Sequence, residues 1–466
     1  MNILQDNTSG YRTPLAERWA LLVLVDAICI VAAFWVATFS WALRHGDSLQ
    51  FWYWLPLVLI GWWILAYFNN LYDIPSSCER LLTLFRIVGC ALLGLLIYFA
   101  VTRFVVSPLP NSLLLTFGSI ALCCIFAWRL LYVALSNHLF SPHRVLIIGF
   151  DDRGQSITQL LRPAAHLNYQ IVGFVDDNPA TAQMPPSDLT FLGRIADLSR
   201  LVQSLQIHEV VVAIKQALPS DVVELLITCQ GQGVQVSWMA DLYAKFRHSI
   251  PIQHIGPAWA LYAIQGQPVF SRLQLVGKRC LDLLLVCLAL PTLLIVIPLI
   301  ALAIRLDSPG PIFYRQTRVG RGSRLFTIFK FRTMVPDAEK AGTPQWATKG
   351  DPRITRVGLF LRKTRLDELP QVLNILRGEM SFVGPRPERP EFVEQLEQEI
   401  PFYRTRLLVK PGLTGWAQIH YGYGNSADDA LLKLQFDFYY IRHWSLWRDI
   451  YILFQTVAVV LLCKGT

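Results

Sequence analysis

Apolar positions crowd the first third of the chain into four runs, near residues 19–43, 51–68, 83–102 and 112–136. Each approaches the ~20 residues that carry a helix across a bilayer, so the pattern predicts four transmembrane helices over residues 1–140. An even number of spans leaves both ends on one side. Arg129, at the end of the fourth run, with His143 and Arg144 beyond it, assigns that side to the cytoplasm, while Arg44 and Arg103 in the opposite loops pull the other way. Asp26 interrupts the first run, where an acid is either functional or a hydrogen-bonded packing residue. That run continues to spanning length without a small-residue cleavage site, unlike a signal peptide.

From residue 141 to 240 the pattern shortens. "RVLIIGF", "YQIVGFVDD", "EVVVAI" and "VQVSWM" read as buried parallel strands, and "ADLSRLVQSLQ" and "SDVVELLITCQ" as helices between them. This alternation predicts a Rossmann-like α/β module. A dinucleotide fingerprint would need GxGxxG after the first strand; the chain has only Gly149 and Gly154, and Asp151 and Asp152 stand where a pyrophosphate would approach. A regulatory module, able to pair two chains as a homodimer, is therefore expected over NAD binding. Residues 241–275 read as a linker.

A fifth apolar run, residues 283–304, is also long enough to cross. Lys278 and Arg279 precede it, however, and Arg305, Arg315, Arg318, Arg321 and Arg324 follow it, so both flanks favour the cytoplasm. With Pro291 and Pro298 inside the run, the pattern predicts a re-entrant helix at about 280–304, bent and returning to one face. An ordinary fifth span is the alternative. The C-terminal stretch "WSLWRDIYILFQTVAVVLLCKGT" reads as a helix at the membrane interface, with Trp444 and Trp447 near the headgroups, or else as a buried core helix.

Composition agrees with a membrane protein: 53% of residues are hydrophobic and 16% charged. The net charge of +9 is concentrated, since residues 305–377 hold 15 Lys/Arg against 6 Asp/Glu. Nucleic acid, an anionic membrane face or a phosphorylated substrate would each suit that excess. Nine cysteines without a CxxC pair, most in apolar runs, read as core residues of a reducing compartment. Within the basic region, "RKTRLDELPQVLNILRGEMSFVGPRPERP" sets Asp367 beside Glu368 among Arg362, Lys363, Arg365, Arg377, Arg386 and Arg389. By itself such a pair is more simply a surface salt-bridge cluster.

The motifs "KRCLD", "SPGPIFYRQTRVG", "FTIFKFRTM", "DPRITRVGLFLRKTRLDELPQVLNILRGEMSFVGPRPE", "KPGLTGWAQ" and "LQFDFYYIRHWSLWRDI" fall in one order over about 190 residues. In them the chain closely resembles the bacterial sugar transferases, the polyprenyl-phosphate hexose-1-phosphate transferases. The preceding helices and Rossmann-like module resemble the long-form members. The resemblance implies a membrane protein of α plus α/β class, with a monotopic phosphoglycosyl transferase domain over residues 276–466. It further implies transfer of a hexose 1-phosphate from a UDP-sugar to undecaprenyl phosphate, releasing UMP, at the cytoplasmic face of a bacterial inner membrane. That would be the first membrane step of exopolysaccharide, capsule or O-antigen synthesis. Members commonly carry a Ser-Pro pair at the bend of the membrane helix; here Leu294 and Ile295 take that place.

By the same resemblance Asp367 matches the nucleophile that takes up the sugar phosphate, and Glu368 its partner. Pro370 suits the first turn of a helix, whose N-terminus, with the neighbouring arginines, would keep Asp367 ionised. Mg2+ would bridge Asp367 to the donor's diphosphate. Lys330 and Arg332 alternate with Phe329 and Phe331, which on a strand would turn both cations toward phosphate. Arg386 between Pro385 and Pro387 is held for bidentate phosphate contact, and Arg353 and Arg362 are further phosphate candidates. Asp437 matches an active-site acid of the family, and Trp416 is a candidate for donor contact or interfacial packing.

A chain shortened to begin near residue 273 would keep all of these, so the preceding residues are not expected to be needed for chemistry. Rival readings are a nucleotide-sugar oxidoreductase or epimerase and a polysaccharide transporter. The first lacks its fingerprint and a Ser/Tyr-x-x-x-Lys pattern, and the second has few spans. Nucleic acid is disfavoured, because Asp367 and Glu368 would repel its backbone.

Overall fold

The long apolar runs form helices, because no water competes for their backbone hydrogen bonds in an apolar setting. A computed structural model describes residues 14–46, 51–73, 80–101, 109–139, 142–162, 169–178, 189–214, 218–265, 272–335, 351, 353–422, 424 and 426–461. Arg103, residues 266–271 of the expected linker and residues 462–466 lie outside them. The seven described cysteines are free thiols. The chain divides into two compact units, one ending at Met239 and the other beginning at Ala240.

In the first unit, α1 (Pro14–His45), α2 (Trp54–Phe68), α3 (Arg80–Val101) and α4 (Asn111–Leu139) share a core of Leu22, Ile30, Ala66, Ile87, Ile125 and Tyr132. By length and composition α1 and α4 can cross a membrane, whereas α2 and the apolar part of α3 are shorter. Their outward faces are apolar too, with Ile28, Trp35, Phe85 and Leu115 more than half exposed. Such faces suit lipid rather than water. Asp26 and Arg129, on α1 and α4, form a buried ion pair at 2.7 Å, and Arg129 also donates to the Leu71 carbonyl. Arg129 therefore lies inside the helix assembly rather than on its rim, and it carries no orientation signal. Asp26 is the acid that compensates it.

The same unit contains a five-stranded, all-parallel sheet, ordered β3-β2-β1-β4-β5, of β1 (His143–Ile148), β2 (Tyr169–Val175), β3 (Phe191–Gly193), β4 (Glu209–Val212) and β5 (Gln235–Trp238). β1 and β4 are buried along nearly their whole length, which explains the apolar runs at residues 145–148 and 210–212; at their starts His143 and Glu209 pair with each other. Helices α5 (Asp152–Leu161), α6 (Leu198–Ser204) and α7 (Ser220–Gly231) connect the strands. At the end of β1, Gly149 has φ +84°, and a Cβ there would lie 2.9 Å from Ile214. The glycine thus serves the turn itself. Asp151 accepts from Arg153 N–H at the start of α5, and Asp176 accepts from Phe150 N–H. Carboxylates of the protein so occupy donors that a phosphate would otherwise use.

The second unit opens within the stretch read as a linker. Residues there form α8 (Met239–Arg247) and α9 (Pro257–Gln265), and they are packed, not extended. Ile250 and Ile252 are almost completely buried. Ile250 N–H donates to the Gln435 carbonyl, Trp416 Nε1 donates to the His248 carbonyl at 2.9 Å, and Arg442 pairs with Asp241 at 2.7 Å. Trp259 stacks on Phe438 while the Arg442 guanidinium covers its ring. Residues 240–265 therefore form a strap along α15 (Ala427–Arg442).

α10 (Arg272–Asp307) runs for 36 residues and remains helical through Pro291 and Pro298. It is long and apolar enough to cross a membrane. Lys278, Asp282, Val286, Leu293, Ile300 and Ile304 nonetheless make one buried stripe, repeating every three to four residues or twice that. Near its start, Lys278 bonds Asp449 and the Val383 carbonyl, and Asp282 accepts from Ser381 and Phe382. Val286 and Leu293 pack with Ile328, Val372 and Met380, while Ile300 and Ile304 pack with Phe331 and Leu361. Leu284, Leu288, Leu294, Ile295, Leu299 and Leu306 point away, each more than half exposed. The helix is attached to its own unit from end to end and is apolar on the other side.

The remaining elements are the antiparallel hairpin β6 (Phe313–Val319) and β7 (Leu325–Phe331), α11 (Arg356–Thr364), α12 (Val372–Arg377), α13 (Pro390–Glu399), α14 (Trp416–His420) and α16 (Leu446–Leu461), with short parallel strands β8 (Ser381–Val383) and β9 (Gly412–Thr414). Trp444 is buried and donates to Asp449, so it does not reach toward headgroups as expected; Trp447 is exposed.

Candidate active site

α11 ends at Arg365, whose left-handed φ of 56° turns the chain abruptly. Such a conformation costs about 1 kcal/mol or more for a residue with a Cβ. It starts a 3-10 segment, Leu366–Gln371, that carries Asp367 and Glu368 and leads into α12. Pro370 sits inside that segment and leaves its geometry intact.

Glu368 is buried and saturated with cations. Lys330 Nζ donates to Oε1 at 2.7 Å, and Arg386 donates through both guanidinium nitrogens, from β7 and from the loop after β8 respectively. Burial pushes the Glu368 carboxyl up, but Arg386 and Lys330 together outweigh it and hold the group well below the ordinary carboxylate range. Asp367, one residue earlier, is half-buried and accepts no hydrogen bond among the described residues. Burial first, then the charge of Glu368, push its carboxyl up, against the opposing influence of Lys330, Arg386 and Arg362. The helix start and arginines were expected to keep Asp367 ionised. Instead, the cations bond its neighbour and act on Asp367 only through space, so burial and Glu368 outweigh them.

The other candidates divide. Arg362 donates to Thr333 Oγ1 at 2.9 Å and acts on Asp367 only through space. Arg332 lies one residue past the end of β7, so the strand's alternation no longer applies to it. Its guanidinium donates to the Ser308 and Pro309 carbonyls and pins the turn after α10. Arg353 is clamped on Asp351, two residues away. Trp416 is buried between the strap, Tyr439 and Tyr451, with Arg448 over its ring, and is an internal packing residue.

Asp437 is buried on α15 and makes an ion pair with Arg406 at 3.1 Å. Burial pushes its carboxyl up to about 6, although Arg406 pulls the other way. Arg406 also donates to Tyr403 Oη and, at 2.9 Å, to the Arg386 carbonyl. Asp437 therefore reaches the carboxylate site indirectly, by fixing the backbone that presents Arg386. Sequence reasoning missed Arg406; the only signal was an arginine in a short run before "VKPG". Asp437→Ala would leave the buried Arg406 guanidinium with only Glu388, at 4.0 Å, as its acid. It is expected to lower stability by about 3 kcal/mol, read as a reduced melting temperature of the detergent-purified enzyme, with Asp437→Asn less affected.

The pair also sets a pH dependence. A carboxylate attacks only when ionised, so a step begun by Asp367 is expected to accelerate as pH rises through its elevated pKa. Glu368→Gln removes the charge that raises it and should move the acid limb to lower pH. Lys330→Met removes a charge that lowers it and should move the limb to higher pH. Rapid-quench rates between pH 4 and 8, on a scale where free Asp titrates near ~4, would contradict this if the two shifts shared a sign.

An α/β unit with a long apolar helix and an acid pair, one member of which is bound by two cations, suits a phosphate-handling membrane enzyme, and comparison with known proteins gives the family. The bacterial sugar transferase family model matches residues 273–463, and the CoA-binding domain model matches residues 67–240. The undecaprenyl-phosphate glucose phosphotransferase of Komagataeibacter xylinus is 30% identical over 470 residues, covering 97% of this chain and 85% of that protein. The UDP-glucose:undecaprenyl-phosphate glucose-1-phosphate transferase of Escherichia coli (strain K12) is 36% identical over 337 residues, covering 69% of this chain and 68% of that protein. The UDP-N-acetylgalactosamine-undecaprenyl-phosphate N-acetylgalactosaminephosphotransferase of Aeromonas hydrophila is 48% identical over 184 residues; the match spans 43% of that protein's length. This chain belongs to the bacterial sugar transferase family.

Proposed function

We propose that the enzyme transfers a hexose 1-phosphate from a UDP-sugar to undecaprenyl phosphate at the cytoplasmic face of a bacterial inner membrane, opening the assembly of a surface polysaccharide. The observation that carries this reading is the division of labour between adjacent acids: Glu368 holds Lys330 and Arg386, while Asp367 stays unbonded. In the first step an Asp367 oxygen attacks the β-phosphorus of the donor. The bond from that phosphorus to the bridging oxygen breaks, its electron pair leaves with UMP, and the sugar phosphate remains as an acyl phosphate. In the second step an oxygen of the lipid phosphate attacks the same phosphorus, frees Asp367 and forms the diphosphate-linked lipid. Lys330 and Arg386, preorganised by Glu368, lie beside the charge that develops on the phosphoryl oxygens.

Mg2+ suits this donor set, since it commonly takes one carboxylate and completes its shell with substrate phosphate and water. Asp367 would hold it, and the ion would offset charge on the diphosphate. The exposed leucine face of α10 would lie in the cytoplasmic leaflet, with both helix ends on the cytoplasmic side, which accounts for basic residues on both flanks. We read the parallel-sheet unit as a Rossmann-like regulatory and dimerising module. The reaction is tested with a panel of UDP-hexoses and UDP-N-acetylhexosamines. Product lipid should form with one or a few donors and only when undecaprenyl phosphate is present. Reduction of a nicotinamide, or isomerisation of the donor without transfer, would contradict the reading.

A further inference from the structure

Around Gly378 the structure gathers positive charge for which the transfer site has no use. Gly378 closes α12 with φ +80°, and a Cβ at that position would stand 3.4 Å from Lys410 Nζ and 3.9 Å from the guanidinium carbon of Arg279. Two cations thus converge on one backbone point. Arg279, near the start of α10, donates to the Ile375 and Leu376 carbonyls and so closes the C-terminal end of α12. Lys410, half-buried before β9, makes no hydrogen bond or ion pair among the described residues. Burial and then Arg279 lower the Lys410 pKa, Asp282 pulls the other way, and Arg321, exposed in the β6–β7 turn, lowers it further. Arg377, beside the glycine, lies against the Phe329 ring.

The nearby acids are already engaged. Asp282 accepts from Ser381 and Phe382, Asp449 is held by Lys278, Tyr440 and Trp444, and Glu379 accepts from Asn374. Asp282 acts on Lys410 as a counter-charge, but Arg279, Arg321 and Lys278 outnumber it; cations in excess of acids raise one another's free energy, and an anion relieves this. The surroundings indicate which anion. Arg279 lies among exposed apolar residues of α10, with Leu273 and Val276 before it and Leu283, Leu284 and Leu288 after it, and Leu373 and Leu376 on α12 are exposed as well. A cation cluster beside an apolar face matches the layered chemistry of a lipid, with phosphate at the interface and chains beneath it.

We infer that Arg279 and Lys410 form a binding site for the phosphate headgroup of a membrane lipid, built from residues other than those of the carboxylate site. The inference uses the placement of α10 against a membrane and not the transfer chemistry. The phosphate could belong to an anionic phospholipid of the bilayer or to a polyprenyl phosphate, and the two are separable.

The test uses the full chain in detergent, titrated with phosphatidylglycerol, with a polyprenyl phosphate, or with phosphatidylcholine as the zwitterionic control, and reads bound lipid by native mass spectrometry. Lys410→Gln should weaken one or both anionic lipids by about fivefold and leave phosphatidylcholine unchanged; Lys410→Arg should restore binding. Loss confined to phosphatidylglycerol makes the site a bilayer-lipid site. Loss confined to polyprenyl phosphate makes it an acceptor site, and either supports the inference. Binding of both anionic lipids equal to wild type in Lys410→Gln overturns it. An unchanged melting temperature excludes misfolding as the cause, and Arg279→Gln is avoided because Arg279 also bonds α12.

Discussion

Asp367→Asn is expected to lower turnover by at least about a thousandfold, the scale on which removal of a covalent nucleophile acts, without lowering the melting temperature. The stability half of this expectation follows from the geometry. Asp367 accepts no hydrogen bond among the described residues, and burial together with Glu368 disfavours its charge. An amide of the same shape therefore removes an unfavourable interaction and breaks no contact. Glu368→Gln should behave in the opposite way. It strips the charge that Lys330 and Arg386 compensate, so it should destabilise the protein by about 3 kcal/mol, the scale for removing one partner of a buried pair, and should slow turnover less than Asp367→Asn. A folded Asp367→Asn enzyme working at the wild-type rate, or one as destabilised as Glu368→Gln, would sink the division of roles.

The second large effect concerns where the catalytic unit begins. A chain starting at residue 273 contains the whole span matched by the sugar transferase family, yet it lacks the strap. Ile250 and Ile252 would be gone and the surface they cover laid open, Trp416 would lose its acceptor, and Arg442 would lose both Asp241 and Trp259. Burial of two isoleucines alone is worth about 3–6 kcal/mol, comparable with the whole stability of many domains. The uncovered helix is α15, whose Asp437 holds Arg406 and, through it, the Arg386 backbone. A chain starting at residue 240 is therefore expected to fold and transfer sugar phosphate. One starting at 273 should melt far lower and lose at least about tenfold in rate, since a small displacement of a positioned charge has that scale of effect. Equal melting and equal rates for the two would show that the strap is incidental.

What the sequence disclosed followed from local pattern. The apolar runs announced helices, the alternation after residue 141 announced parallel strands, and Pro370 after two acids announced a helical start beneath them. What it concealed depended on contacts between distant positions or on where an element stops. Arg332 shares the alternation of Lys330, but β7 ends at Phe331, so one cation meets Glu368 and the other bonds Ser308 and Pro309. Arg353 was diverted by an acid two residues away, which was visible, while Trp416 was diverted by His248, 168 positions away, which was not. Residues 240–265 resembled a linker because Pro251, Gly256 and Pro257 break their apolar side chains into short pieces with no sustained period; they fold because α15 and α14 supply the missing half of their core. Arg129 looked like a flank charge until Asp26, over a hundred positions earlier, was seen to hold it.

The order of events tests the central claim most directly. Purified enzyme, given the sugar donor and Mg2+ with no polyprenyl phosphate, should release about one equivalent of UMP per active site and retain the sugar phosphate on the peptide that carries Asp367, as a covalent route requires. Adding undecaprenyl phosphate should then discharge that peptide into lipid product. If UMP appears only after the lipid is added, and no peptide ever carries the sugar phosphate, the two substrates react directly and Asp367 is not the nucleophile.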